Sequence, residues 1–244
     1  MTYVIELLGE GPAADAASAA FDDVDARVVA DATDPALTVA VVPAGSDATA
    51  GIDERTDRLV LVEIGGVGGC IVESIDAAVS VFDTGGARFA DLATRVSATT
   101  DSAGSPTGDR SAVRLAGAVA GRRAVALLAG DELGGTAVEV AGTGIVAERR
   151  VLPVPDAASR DRTVQREYRD VDLDDALARA ERALDERTGI VSQVGERESF
   201  PVPYYLAQTT DTTGFSDARA AELAAGVDPD WDAAFMKALG EALE

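Results

Sequence analysis

Tyr3-Val-Ile-Glu-Leu-Leu-Gly-Glu-Gly-Pro-Ala-Ala-Asp-Ala-Ala-Ser-Ala-Ala-Phe21 decides the fold class. Tyr3 to Leu8 is short, apolar and β-prone. Gly9-Glu-Gly11-Pro12 interrupts it, and the run Ala13 to Phe21 is dominated by alanine, the strongest helix former. Strand, glycine turn and helix in that order open a βαβ unit. Three more β-prone runs follow, Ala26 to Ala30, Leu37 to Val42 and Leu59 to Ile64, each bounded by Asp, Pro or Gly. This alternation predicts a Rossmann-like α/β layer. The helix after the second strand is poorly marked, so this half reads as degenerate.

Outward from there, Gly65-Gly-Val-Gly-Gly69 closes the fourth strand, and Ile71 to Phe82 reads as strand and turn. Thr99 to Asp109 is a loop rich in Ser, Thr, Gly, Asp and Pro. Ser111 to Leu128 predicts a long helix, with Ser111 as its cap and Gly130 as its stop. Thr136 to Val140 and Val146 to Leu152 predict a hairpin around Gly142-Thr-Gly144. Pro153-Val-Pro155 then punctuates the chain, and Asp156 to Asp170 is charged and poor in apolar residues. The expected domains are residues 1–157, a linker at 158–171, and residues 172–244. In the second domain, Leu173 to Arg187 predicts an amphipathic helix with apolar positions 173, 177, 180 and 184. Gly189 to Val194 and Tyr204 to Ala207 are strand-like. Asp228-Pro229-Asp230 predicts a helix start with Asp228 as capping acid, and the helix runs from Trp231 to Glu244. Its last turn has no terminal glycine and no basic residue, so the sequence is expected to be truncated inside this helix.

Composition narrows the function classes. The 244 residues hold 43 acidic and 21 basic side chains, a net charge of −22. Carboxylates are spread along the chain, the basic residues are Arg except for Lys237, and aromatic residues make up only 5%. This is the pattern of a salt-adapted surface, because at molar salt the Debye length falls to about 3 Å and self-repulsion is screened. Such a surface works against nucleic acid and anionic membranes as partners. With no His, a Ser-His-Asp triad and histidine metal ligands are excluded, and Cys70 alone excludes an internal disulfide. No apolar run is long enough to span a bilayer, and Met-Thr-Tyr-Val-Ile at the start lacks the positive flank of a signal peptide. A cytoplasmic location is the expectation.

Several motifs invite chemistry. Gly9-x-Gly11-x-x-Ala14 stands where a dinucleotide fingerprint would, with Asp31 at the spacing of a ribose-binding acid. Pro12 removes a phosphate-facing N–H and Glu10 adds a negative charge there, so a structural turn is the better account. Gly65 to Gly69 has no Lys after it and is no P-loop; a tight turn is again the better account. Cys70, without a His to activate it, reads as a small buried side chain. Glu241 and Glu244 are three residues apart, which puts both carboxylates on one helix face. A pair of this kind can hold Mg²⁺ against nucleotide phosphates, although in an acidic chain a solvated face is the simpler origin of such spacing.

The segment Gly226-Val-Asp-Pro-Asp-Trp-Asp-Ala-Ala-Phe-Met-Lys-Ala-Leu-Gly-Glu-Ala-Leu-Glu244 resembles the start of the nucleotide-binding core of YcaO-family proteins. There a glycine-containing turn precedes a helix carrying Ala-Leu-x-Glu-Ala-x-Glu, followed by Arg. Arg187-Thr-Gly-Ile-Val191 is similar to that domain's opening strand. Val62-Glu-Ile-Gly65, Ala77-Ala-Val-Ser-Val-Phe82, Ala87-Arg-Phe-Ala-Asp-Leu-Ala-Thr-Arg-Val96 and Val151-Leu-Pro-Val-Pro155 resemble, in the same order, the degenerate ThiF-like module of YcaO cyclodehydratases. The resemblance implies a Rossmann-like module followed by the start of an α+β YcaO domain. It implies ATP and Mg²⁺ as cofactors, with Glu241 and Glu244 as the Mg²⁺ ligands. It also implies azoline formation in the maturation of bacteriocin-type peptides, from a peptide substrate with a leader segment. A homodimer stays open. The module commonly holds zinc through two Cys pairs. The matching stretches offer Arg88, Asp91, Asp156 and Ala157, so no zinc is expected. With only the first two Mg²⁺ ligands, this sequence alone is expected to be inactive. A peptide-escorting module without ATP, or a dinucleotide-dependent oxidoreductase using the first glycine turn, are the alternative readings.

Overall fold

The computed structural model describes residues 2–22, 24–100, 102, 104–153, 172–196, 204–209 and 223–243. The chain divides into two compact units, Met1–Pro153 and Val154–Glu244.

A seven-stranded sheet organises the first unit. Its strands are β1 (Tyr3–Leu8), β2 (Ala26–Val29), β3 (Leu37–Pro43), β4 (Leu59–Ile64), β7 (Ala77–Phe82), β8 (Thr136–Ala141) and β9 (Gly144–Arg150). A small hairpin, β5 (Gly66–Val67) and β6 (Cys70–Ile71), stands apart from that sheet. The order is β2-β1-β3-β4-β7-β8-β9, with the first four strands parallel and the rest antiparallel. Four helices accompany it: α1 (Pro12–Ala19), α2 (Ala48–Arg55), α3 (Phe89–Thr99) and α4 (Arg110–Ala129). The period-2 pattern of the strands sends alternate residues to opposite cores. Ile5, Val39, Val41, Val60, Val62, Val79 and Val138 pack with α1 and α4. Ala40, Leu59, Leu61, Ala78, Phe82 and Ala137 pack with Phe89, Leu92 and Val96 of α3. Covered on both faces, the central strands are apolar throughout, which is why they read as continuous runs.

The α1–α4 contact depends on small residues. A Cβ on Gly117 would lie 2.2 Å from the Ala13 carbonyl oxygen, and one on Gly121 would lie 2.6 Å from that of Ala17. The two helices therefore touch backbone to backbone. The cap of α4 differs from the expectation. Asp109, not Ser111, caps it, its Oδ1 accepting from the Ser111 and Ala112 amides at 2.8 and 3.3 Å. Gly130 stops the helix in the left-handed region, as expected, with φ of 98°. Asp76 ties the start of α4 to the β8–β9 turn, accepting from the Asp109 and Gly142 amides at 2.8 and 2.7 Å. Two helices, α2 and α3, carry little signal of their own. Helix α2 is short, polar and interrupted by Gly51, and the second half of α3 carries Thr94, Val96, Ser97 and Thr99. Burial of Phe89, Leu92 and Val96 on one face outweighs that weak propensity.

In the second unit, β10 (Val191–Glu196), β11 (Tyr204–Thr209) and β12 (Leu223–Val227) form an antiparallel sheet with β11 in the middle. Helices α5 (Leu173–Ala180) and α6 (Trp231–Leu243) complete it. Its small core holds Val191, Ala207, Ala224, Ala238, Leu239 and Ala242. The expected helix from Leu173 to Arg187 is cut short. After a 3-10 turn at Glu181–Ala183, Leu184 is extended and bridges to Val191. Asp185 Oδ1 then accepts from the Arg187 and Thr188 amides, both at 2.8 Å. This side-chain turn competes with the next helical turn and wins. The expected linker at 158–171 lies outside the described residues. Among the described residues, no helix is long and apolar enough to cross a membrane.

Candidate functional site

Helix α6 carries the Glu241 of the expected magnesium pair. The helix is seated by Gly226 of β12, where a Cβ would lie 2.0 Å from the Ala234 carbonyl oxygen and 2.4 Å from the Ala238 nitrogen. Only a glycine lets the strand approach the helix so closely. Ala234, Ala238, Leu239 and Ala242 form the buried stripe of α6, and Glu241 is exposed beside it. The site is thus a carboxylate on the open side of a helix whose other side is fixed to a sheet. Glu244 lies outside the described residues.

The cap of α6 also differs from the expectation. Asp230 Oδ1 accepts from the Ala233 amide at 3.0 Å, so the cap is Asp230 rather than Asp228. Asp228 instead accepts from the Asp230 amide at 3.0 Å and from Lys237 Nζ at 2.6 Å. The Lys237 bond leads the causes that hold the Asp228 carboxyl below its ordinary value. Lys237, which also donates to the Val227 carbonyl at 3.3 Å, stands one turn before Glu241 on the same face. Among the described residues, no group of three or more acidic or Cys side chains is gathered for a metal ion.

The first glycine turn lies at the carboxyl end of β1. The order β2-β1-β3 makes the gap between β1 and β3 the switch point where α/β folds bind ligands. Asp31, exposed just past β2, shares that edge of the sheet. The glycines here serve the backbone. Gly9 has φ of 100°, and its Cβ would lie 2.3 Å from the Val41 carbonyl oxygen. Gly11 precedes Pro12 at the start of α1, and Glu10 is exposed at the mouth of the turn.

The second glycine turn is occupied by the chain itself. Glu63 is fully buried at the end of β4 and accepts from the Gly68 and Gly69 amides, each at 2.7 Å. Burial pushes its carboxyl up to about 7, and the two amides offset only part of that effect. Sequence reasoning passed over Glu63. The signal was a lone carboxylate inside Leu59-Val-Leu-Val-Glu-Ile64, directly before a glycine cluster. Cys70, in the β5–β6 hairpin, is buried.

Arg88 and Asp91, two of the residues read above in place of zinc ligands, join an ionic staple. Arg88 Nε lies 3.2 Å from Asp53 Oδ1, and its Nη2 donates to the Asp53 and Thr56 carbonyls. Asp91 Oδ2 accepts from the Arg88 amide at 2.7 Å. Asp53 is buried, and desolvation raises its carboxyl despite the adjacent guanidinium. Asp156 and Ala157 lie outside the described residues.

No protein-family model matches this chain, and no curated protein does. Its fold is similar to a solved structure of a heterocyclase in complex with substrate and cofactor, with a TM-score of 0.62 and 14% identity. The likeness covers 100% of this chain and 39% of that one. At that identity the likeness is one of α/β fold.

Proposed function

We propose that this chain is the amino-terminal part of an ATP-dependent YcaO-type enzyme that converts peptide amides into azolines. The observation that carries the reading is the fold likeness to a heterocyclase over the whole chain, both units included. The sequence of α6 adds the chemistry. In this reading Glu241 and Glu244 hold the Mg²⁺ of ATP, and the first unit is a degenerate, ThiF-like module serving a peptide substrate with a leader segment. Mg²⁺ prefers oxygen ligands and takes one or two carboxylates together with phosphates. Bound there, it would neutralise charge as the γ-phosphoryl group moves to the amide oxygen. The side-chain nucleophile of a neighbouring Cys, Ser or Thr bonds to the amide carbon, and the former amide oxygen leaves as phosphate. The balance is one azoline, one ADP and one phosphate per ring. What this chain contributes is position. Its backbone contact at Gly226 and its buried Ala and Leu stripe hold the Glu241 face still.

Calorimetric titration with Mg-ATP in molar KCl tests the assignment. Weak, Mg²⁺-dependent binding without turnover is expected for this chain, and Glu241→Gln should weaken it at least roughly 10-fold, as loss of a charged ligand does. Binding that is the same in both proteins, or absent from the wild type, would sink the reading. Capture of a Cys-, Ser- and Thr-containing peptide without any ATP effect would favour an escort module.

A further inference from the structure

The side chain of Glu63 ends where a bound anion would. Strand β4 carries it into the Gly65–Gly69 turn, and Gly68 and Gly69 aim one amide at each of its oxygens. Neighbouring N–H groups converging from left-handed residues make the concavity that cradles phosphates and carboxylates in other proteins. Gly68 and Gly69 have φ of 59° and 76°. The turn is also locked from outside. A Cβ on Gly65 would lie 2.4 Å from the Thr107 nitrogen, one on Gly66 2.0 Å from the Cys70 carbonyl oxygen, and one on Gly68 2.9 Å from Val96 Cγ2. The neighbours in register with Glu63 are apolar, Val42 on β3 and Ala78 on β7. The buried base of α3, Arg95, donates its Nε to the Leu152 carbonyl at 3.1 Å.

We propose that the Gly65–Gly69 turn is an oxyanion cradle of the class that accepts carboxylate or phosphate, and that Glu63 is its resident occupant. The first unit is thereby closed to phosphate ligands at this turn. The cradle is a property of the loop, so it outlasts the side chain that fills it. Removing the carboxylate should leave a site for a small carboxylate ion.

Glu63→Ala deletes a fragment with the shape of acetate, which makes acetate the test ligand. Potassium acetate replaces potassium chloride at constant potassium, and thermal melts are recorded for the variant and the wild type. The variant should gain ~5–10 °C, saturably, once acetate exceeds its Kd about 100-fold, while the wild type does not move. Equal responses in the two proteins, or none in either, overturn the proposal. Should the variant not fold, the wild type decides by NMR. The Gly68 and Gly69 amides and the Glu63 carboxyl carbon should move in one common transition, and inorganic phosphate should leave both amides unmoved. Independent titration, or amides that follow phosphate, overturns it equally.

Discussion

Glu63→Gln should flatten one part of the pH dependence of stability and leave the rest alone. The folded protein holds the Glu63 proton up to about 7, against an ordinary value of 4.5. Between those two pH values the folded state therefore binds more protons than the unfolded state, and stability falls as pH rises. The contribution is fully present below pH 4.5 and is lost as pH rises through 7. The gap of about 2.5 pH units, at about 1.36 kcal/mol each, is worth about 3 kcal/mol. For a unit of this size that is roughly 6–12 °C of melting temperature. The other carboxylates of this acidic chain titrate as well, but they do so in both proteins and cancel in the difference. The assay is a series of melts of wild type and Glu63→Gln from pH 4.5 to 8.5 in molar KCl, where the surface charges are screened. The wild type minus variant difference should decline through that window by about 3 kcal/mol. The Glu63→Gln variant would be less stable at low pH for a separate reason, since the new side-chain amide can accept from only one of the two glycine N–H groups. Only the slope bears on the argument. A difference that stays flat would mean that Glu63 ionises as it does in water, and that its burial does not persist in solution.

The remaining predictions concern packing. Gly117→Ala should destabilise the first unit by ~1–2 kcal/mol in urea unfolding, although helix propensity alone favours Ala, because the new methyl meets the Ala13 backbone. Gly240→Ala on α6 is its control. With open space around that position, the same change should stabilise the second unit by ~0.5–1 kcal/mol. Arg149→Met should cost ~3–5 kcal/mol by leaving Glu139 buried without its 2.7 Å partner, and Glu139→Leu in the same chain should recover most of it. Recovery below a third of the loss in equilibrium unfolding would refute that account.

The parts of the fold legible in the sequence are those where local pattern and tertiary environment agree. Strands β3, β4 and β7 are covered on both faces, so their apolar runs speak directly. The β8–β9 hairpin is announced by Gly142, and α4 by its alanines and Gly130. Legibility fails where packing decides alone. Helix α3 exists because Phe89, Leu92 and Val96 find the sheet, and β12, Leu-Ala-Ala-Gly-Val, has the composition of a helix. Both misplaced caps have one cause. Clusters such as Asp109-Arg-Ser111 and Asp228-Pro-Asp230 offer two caps apiece, and only the backbone path selects one. Glu63 was hidden by the charge of the chain. Where 43 residues are acidic, any single carboxylate looks like surface.

The same acidity constrains how any nucleotide could be bound. A net charge of −22 repels a polyphosphate, and the basic side chain one turn from Glu241, Lys237, is engaged by Asp228. A carboxylate face can accept phosphate only through a bridging divalent cation, which reverses the local sign of the charge. The glycine turns of the first unit offer no such reversal. Glu10 stands at the mouth of one, and the amides of the other are bonded to Glu63. Of the sites the sequence suggested for phosphate, the Glu241 face is the one whose own charge a metal ion would turn from obstacle into attachment. Nucleotide binding on that face must therefore vanish when Mg²⁺ is removed, a dependence that a Rossmann-type glycine turn would not share.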